Sequence, residues 1–396
     1  MHRETYIEIN LDKLCNNINN IINTFNDYRY YIGVIKGNAY GHGEYISKYI
    51  IKNGINYLAV STLDEALNIR KYIDNTFPIL CLQPIDIKYI EKVIDNNITV
   101  CVSNIDYFNN LKNIETKTPI KFHLKLNTGM NRLGVNNSNE VKKIYEDCKS
   151  CNNLEFEGIF THLCSSGVYD SLYYEQIKRF KTLTEQIDLS KIKIVHIGRS
   201  TTLDFHEKLD FCNGVRIGIM MYGISSTFPN NNGIKNKLRN LKYSYIRRKN
   251  KLPIPNKDCK TNLKQCLTLK SKVIEIQKVS IGDQVGYGSN NRMSKNGLVA
   301  TIPIGYSDGL LTNYKNFYVK INSKKYSVIG TINMGMISVL VDENVKVGDI
   351  VTIIDENDNY KKIASFFNVS PYILMTSLNK NIPRIYIKDN KIVKEW

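Results

Sequence analysis

The chain has 396 residues, with 54 Lys and Arg against 37 Asp and Glu, giving a formal net charge of +17. That length asks for two domains, or for one large barrel with an appendage. Apolar content of 42% and charged content of 23% are those of a folded globular protein rather than a disordered one, and no stretch reaches the length of a membrane span. The start, residues 1–9, has no basic region followed by an apolar run, so no signal peptide is expected and the protein is read as cytoplasmic. Nine cysteines are scattered without a disulfide framework. Cys148 and Cys151 form a C-x-x-C pair, but no second pair follows at zinc spacing, and no metal site is expected.

In chain order, apolar strand-like runs begin at residues 30–35 and recur at 55–60, 78–82, 98–102, 120–124, 156–160, 192–196 and 214–218. Helix-like stretches such as 62–70 separate them. This alternation predicts an α/β fold, a (β/α)8 barrel of the TIM type over residues 1–235, whose strand ends meet at one catalytic face. Between 234 and 264, eleven Lys or Arg stand against one acid, Asp258, and Pro253 and Pro255 interrupt the run. The segment 236–264 is read as a solvated basic connector. Because so much of the charge sits there, a nucleic-acid partner is not expected. Beyond it, short β runs at 267–279, 297–304, 317–321, 326–332, 337–341 and 350–354, then a helical stretch at 361–380, predict a mostly β domain over 265–396.

The chemistry centres on Val34-Ile35-Lys36-Gly37-Asn38-Ala39-Tyr40-Gly41-His42-Gly43-Glu44. A strand end fixes the lysine, and the small residues after it leave backbone room for a bulky group. A lysine that is buried or flanked by cations loses its proton more easily and becomes a nucleophile. On the barrel reading Lys36 ends the first strand, Thr161 and His162 the sixth, and His196 the seventh, with Ser200 just beyond. Arg216 lies in the eighth strand, followed by Gly218 and Ile219 in a turn suited to a phosphate. Together these point to pyridoxal phosphate (PLP) held on a lysine as a Schiff base. His42 reads as backbone-driven, and His2, His123 and His206 carry no pattern.

With these motifs the chain resembles the alanine racemase family, PLP enzymes with an N-terminal barrel and a C-terminal β domain. The resemblance rests on residues 34–43, 125–134, 158–163, 215–223, 285–288, 302–309 and 382–384, and spans almost the whole chain. It implies a two-base interconversion of L- and D-alanine that supplies D-alanine for peptidoglycan. Lys36 would hold PLP and serve one face of the substrate, and Tyr287 would serve the other from a second subunit. Tyr40 and Ser200, with the backbone of Gly218 and Ile219, would bind the phosphate. Arg216 would face the pyridine nitrogen, and His162 would neighbour Tyr287; His196 is read as mainly structural, with a supporting, orienting role at most. Arg132 would bind near the substrate carboxylate, and Lys125, often carbamylated in the family, would position Arg132. Tyr306 and Met334 would line the pocket from the partner chain of a homodimer. A racemase of serine or another small amino acid, and a PLP-binding protein without turnover, are the alternatives. The chain departs from the family's pattern at Asn333-Met334-Gly335-Met336, which lacks an aspartate. It also departs at Arg199, at Asn127, at Lys380 (where some members have a phosphate-contacting tyrosine) and in its long connector.

Overall fold

The computed structural model describes every residue except 1, 169, 226–233, 250, 252–259, 316 and 396. A first strand, Tyr6–Asn10 (β1), precedes the barrel. The next eight are Tyr30–Val34 (β2), Tyr57–Val60 (β3), Ile79–Cys81 (β4), Ile98–Val102 (β5), Ile120–Lys125 (β6), Leu154–Phe160 (β7), Ile194–Arg199 (β8) and Gly214–Ile217 (β9). They close into a parallel barrel, β2 pairing with β9 so that Ile32 lies opposite Arg216. Each of the eight apolar runs read from the sequence becomes one of these strands. A barrel strand is covered on both sides, so it can be apolar throughout; every residue of β3 and of β5 is buried. The helix expected near 62–70 spans Leu63–Arg70, and the Thr62 hydroxyl caps it by accepting from the Glu65 N–H.

The later strands are Leu267–Lys272 (β10), Glu275–Val279 (β11), Gly297–Ile302 (β12), Tyr318–Ile321 (β13) and Lys324–Ile329 (β14), then Ile337–Val341 (β15), Ile350–Ile354 (β16), Arg384–Lys388 (β17) and Lys391–Glu395 (β18). With β1 they make a ten-stranded sheet in the order β11-β12-β15-β14-β13-β16-β10-β1-β17-β18. β1 pairs antiparallel with β10 and parallel with β17.

This differs from the barrel expected over residues 1–235 at its N-terminal end only. The chain's first strand is built into the second domain's sheet, and the barrel begins only after it. Ile7 and Ile9 are fully buried there. β17 and β18 were not anticipated either. The helical stretch expected at 361–380 is two helices, Tyr360–Phe367 and Pro371–Thr376, broken where Asn368 turns left-handed.

The basic connector is likewise corrected in part, because Ile234–Lys249 forms a helix. Lys, Arg and Leu are good helix formers, and the two prolines come only after it ends, at 253 and 255, outside the described residues. We expect Ile9→Ala to cost about 2–5 kcal/mol, the range for emptying a fully buried branched side chain. The check is a lower urea midpoint, with the loss appearing in the β domain although the residue sits at the N-terminus.

Candidate active site

Lys36 opens a turn of unusual hand. Gly37, Asn38 and Ala39 have φ/ψ of 63/48, 54/50 and 49/49, and Tyr40 has a φ of 52. Outside glycine, each left-handed residue costs roughly 1–2 kcal/mol, so the turn must be held by its surroundings. Glu65 accepts from the N–H groups of Gly37 and Ser61, both at 2.7 Å. His42, fully buried, stacks on Tyr222 at 4.4 Å and faces the carbonyls of Ala39 and Tyr40 through Nδ1 at 3.1 and 3.0 Å. Burial lowers its pKa to about 4, so the ring is neutral and its Nδ1–H donates. From the second domain, Arg384 Nε donates to the Gly41 carbonyl at 3.0 Å and the Tyr386 hydroxyl to that of His42 at 3.1 Å. The small residues after the lysine therefore serve a strained turn, clamped by both domains.

Beyond the turn lies a cavity of about 640 Å³ at the barrel mouth. It brings together Lys36, Tyr40, Lys125, Arg132, His162, Ser200, Arg216, Gly218 and Ile219 from the sequence-predicted set. Arg199 lines it too, so Lys36, Lys125, Arg132, Arg199 and Arg216 converge with no acidic residue among the described lining. The charges act on one another. The Lys36 amine is pushed below its ordinary pKa by burial first, then by Arg132 and Arg216. The Lys125 amine is lowered by burial, with Arg132, Arg216 and Lys36 adding to it. The His162 imidazole falls to about 2, by burial and then by Arg216, Arg199, Arg132 and Lys125, and is neutral.

Arg216 is held from behind. Its Nη1 lies 2.6 Å from His196 Nδ1 and donates to the His196 carbonyl at 2.8 Å; its Nη2 donates to the carbonyls of Thr161 at 2.7 Å and Ile197 at 3.1 Å. A guanidinium only donates, so His196 Nδ1 accepts, and the neutral ring carries its hydrogen on Nε2. That nitrogen meets His123 Nδ1 at 2.9 Å. His123 Nε2 then faces Glu157 Oε2 at 3.4 Å, too long for a normal hydrogen bond and so an electrostatic contact. Tyr57 OH and Lys193 Nζ each bond Glu157 at 2.7 Å. His123 thus has the role that its lack of sequence pattern concealed. The ring lies so close to β7 that a Cβ on Gly158 would come within 2.7 Å of it. His196 is buried behind Arg216 and does not line the cavity.

The other wall is shaped for an anion. Ser200 Oγ accepts from the Gly218 N–H at 2.9 Å, and a Cβ at Gly218 would come within 3.0 Å of the Tyr40 hydroxyl. Arg199 Nε and Thr201 Oγ1 line this cavity, buried and without a hydrogen-bond partner in the protein. Two orphaned donors beside a cation are what a bound phosphate would satisfy, so the residues fit PLP. Tyr372, which the sequence reading missed, completes the wall with its ring 5.9 Å from that of Tyr40. Lys380 lies elsewhere, lining a cleft with Glu44 and Tyr72.

Tyr287, Tyr306 and Met334 are not brought into this cavity. They stand on the β domain with 73%, 44% and 63% of their surface exposed. The loops that carry them are tied together. Asn291 Nδ2 and Thr331 Oγ1 donate to the Tyr287 carbonyl at 2.7 and 2.9 Å, Tyr306 N–H donates to the Asn333 carbonyl at 3.1 Å, and Ser307 N–H to that of Met334 at 3.0 Å.

A mouth lysine of lowered basicity, a seat for an anion and a buried arginine between them define a class, the barrel enzymes that carry PLP on a lysine. Family models described as alanine racemase, N-terminal domain and C-terminal domain match residues 9–226 and 266–386. An alanine racemase of Clostridium kluyveri is 32% identical over 99% of this chain and 96% of its own. Among solved structures, an alanine racemase of Clostridium difficile superposes with a TM-score of 0.86 at 28% identity, covering 100% of this chain and 99% of that one. One of Bacillus anthracis, with bound L-Ala-P, gives 0.84 at 28% identity over 100% and 98%. The chain belongs to the alanine racemase family. It is accordingly a PLP-dependent isomerase.

Glu157 tests the relay behind Arg216. Burial alone would raise its pKa, but His123, Lys193 and Tyr57 outweigh burial and hold the carboxyl below the ordinary carboxylate range. A pKa lower in the folded state contributes stability that is complete above the unfolded pKa, about 4.3, and is lost as pH falls below it. Glu157→Gln should therefore be less stable than wild type at pH 7 by about 2–4 kcal/mol. In urea titrations the gap between the two should begin to narrow as pH falls below about 4.3 and close only below the depressed folded pKa.

Proposed function

We propose that the protein racemises alanine with PLP on Lys36, and so supplies D-alanine for peptidoglycan from the cytoplasm. The observation that carries the reading is the cation-lined cavity, which Lys36 and the orphaned donors of Arg199 and Thr201 line together. When bound, PLP supplies the electron sink that makes the α-proton of an amino acid removable.

The protein's residues do the rest. Tyr40, Ser200, Arg199 and Thr201, with the backbone of Gly218 and Ile219, hold the phosphate. Burial, with Arg199 adding to it, lowers the Arg216 guanidinium to about 9, so it remains a cation at neutral pH. With PLP bound it would face the pyridine nitrogen as a donor and give up no proton there, which would limit the charge that the ring can absorb and suits a reaction that only moves a proton. Arg132, exposed at the mouth, receives the substrate carboxylate. Lys125 backs Arg132; its lowered pKa favours the neutral amine that carbamylation needs.

Racemisation needs a base on each face of Cα. The lowered pKa of Lys36 keeps a free amine accessible for one face. For the other we assign Tyr287, delivered with Tyr306 and Met334 by the partner of a homodimer. The phenol's exposure on a tied loop, away from its own chain's cavity, supports that assignment. His162, held neutral, can accept a hydrogen bond from it. Serine remains the alternative substrate, because the loop at Met334 and Gly335 departs from the family's pattern. A chiral assay with both amino acids decides between them.

Lys36→Ala should lose the yellow absorbance of the bound cofactor. Tyr287→Phe should keep it, yet racemise about 100-fold or more slowly. Sharing of sites is tested by unfolding and co-refolding the two inactive variants together. In a mixed dimer one site carries both lesions and the other neither, so about a quarter of wild-type activity should return when random pairing makes half the dimers mixed. Recovery of none would refute the shared site.

A further inference from the structure

The helix Ile234–Lys249 lies between residues 226 and 266, in the stretch that neither family model covers. Nothing in the proposed chemistry uses it. Its sequence, IKNKLRNLKYSYIRRK, carries Lys235, Lys237, Arg239, Lys242, Arg247, Arg248 and Lys249 and no acid. Ile234, Leu238, Leu241 and Tyr245 are exposed by 79%, 61%, 67% and 66%.

Their spacing of four, three and four residues puts all of them within an arc of roughly 60° at about 100° per residue. Lys237 and Arg248 flank that arc on one side, and Lys242 and Lys249 on the other. The half-buried residues are Asn240, Tyr243, Ile246 and Arg247. They fall on the opposite face, so the helix rests on the protein with its apolar stripe turned outward.

We propose that this helix docks the enzyme on an anionic phospholipid bilayer, lying in the plane of the surface. An apolar stripe between two basic rows matches the boundary between headgroups and acyl chains: Ile, Leu and Tyr enter the apolar layer while the flanking cations stay at the phosphates. The charge opposes a second copy of the helix as occupant, since like would meet like. A nucleic acid would satisfy the cations but leave Ile234, Leu238 and Leu241 in water. Among the described residues no helix is long and apolar enough to cross a membrane, so the attachment is peripheral.

The test is flotation of the full-length, PLP-loaded enzyme with vesicles of phosphatidylcholine alone and of phosphatidylcholine mixed with phosphatidylglycerol. The enzyme should float with the mixed vesicles, stay behind with the neutral ones, and detach as salt rises. Leu238→Asp with Leu241→Asp should bind the mixed vesicles about tenfold or more weakly, with racemisation unchanged. If that variant misfolds, replacing Lys237, Lys242 and Arg248 by Gln gives a second reading, with weaker flotation expected again. The proposal is overturned by equal partitioning to both vesicle types, or by full binding in a folded variant. It is also overturned if the leucine variant changes the mass of the assembly in sedimentation, which would make the stripe a contact between copies. Capture by polynucleotide without flotation would overturn it as well.

Discussion

A guanidinium buried in the throat of a parallel barrel is costly unless its donors are used, and the way Arg216 uses them organises everything around it. It stands on β9 and reaches backbone carbonyls beyond β7 and on β8, tying together the ends of three strands. The imidazole of His196 takes a further hydrogen, and that acceptance fixes the tautomer of His196. Through His123 the same order runs down to Glu157, whose ionised carboxylate anchors it. Two neutral histidines in series between an arginine and a carboxylate let the ion pair be felt across the barrel without placing a carboxylate at the cofactor. The arginine keeps its charge and its orientation, and the cavity keeps a wall without acids.

That wall explains the lysine. Burial acts first, and the cations crowded into one cavity add to it, so the groups able to release a proton respond: Lys36 and Lys125 lose basicity and His162 stays neutral. The same crowding leaves a deficit of negative charge, which a phosphate and a carboxylate can fill. The lysine's placement has its own cost, since three non-glycine residues after it are left-handed. Arg384 and Tyr386 of the second domain share in holding that turn. The β domain is therefore joined to the chemistry through its own chain as well as through the partner proposed above. β1, an interior strand of the second sheet yet first in the chain, fastens the two domains further.

The barrel was legible because its strands are buried on both sides and read as unbroken apolar runs, each followed by a helix or turn. Lys36, Arg216, Ser200 and His162 were legible because they stand at strand ends, where a barrel gathers its functional groups. β1 was not, because five residues ahead of a helix carry no sign of which sheet will take them. Glu157 and His123 were hidden for a related reason. They sit inside barrel strands, where a polar residue reads as an interruption, and their meaning depends on which neighbours face them across the barrel. A signal did exist: His123 and Lys125 are two apart on β6, and so share a face. Tyr372 lies far along the chain on a helix of the β domain, and only folding brings it beside Tyr40.

The remaining asymmetry is between the two proposed bases. Lys36 comes from the barrel and is half enclosed by it. A base for the opposite face of Cα cannot come from the same strand end, because a strand end presents its side chain from one direction only. On the proposed reading it is carried by an element that approaches from outside the mouth. In this chain the tyrosine with the right chemistry stands on a tied, outward-facing loop of the β domain, with Tyr306 and Met334 exposed beside it. An exposed group of this kind is poorly suited to a monomer, where it would be an apolar patch facing water. It is well suited to a surface that closes over another copy's cavity. On that reading, dimerisation would set the second base in place and shut water out in a single step.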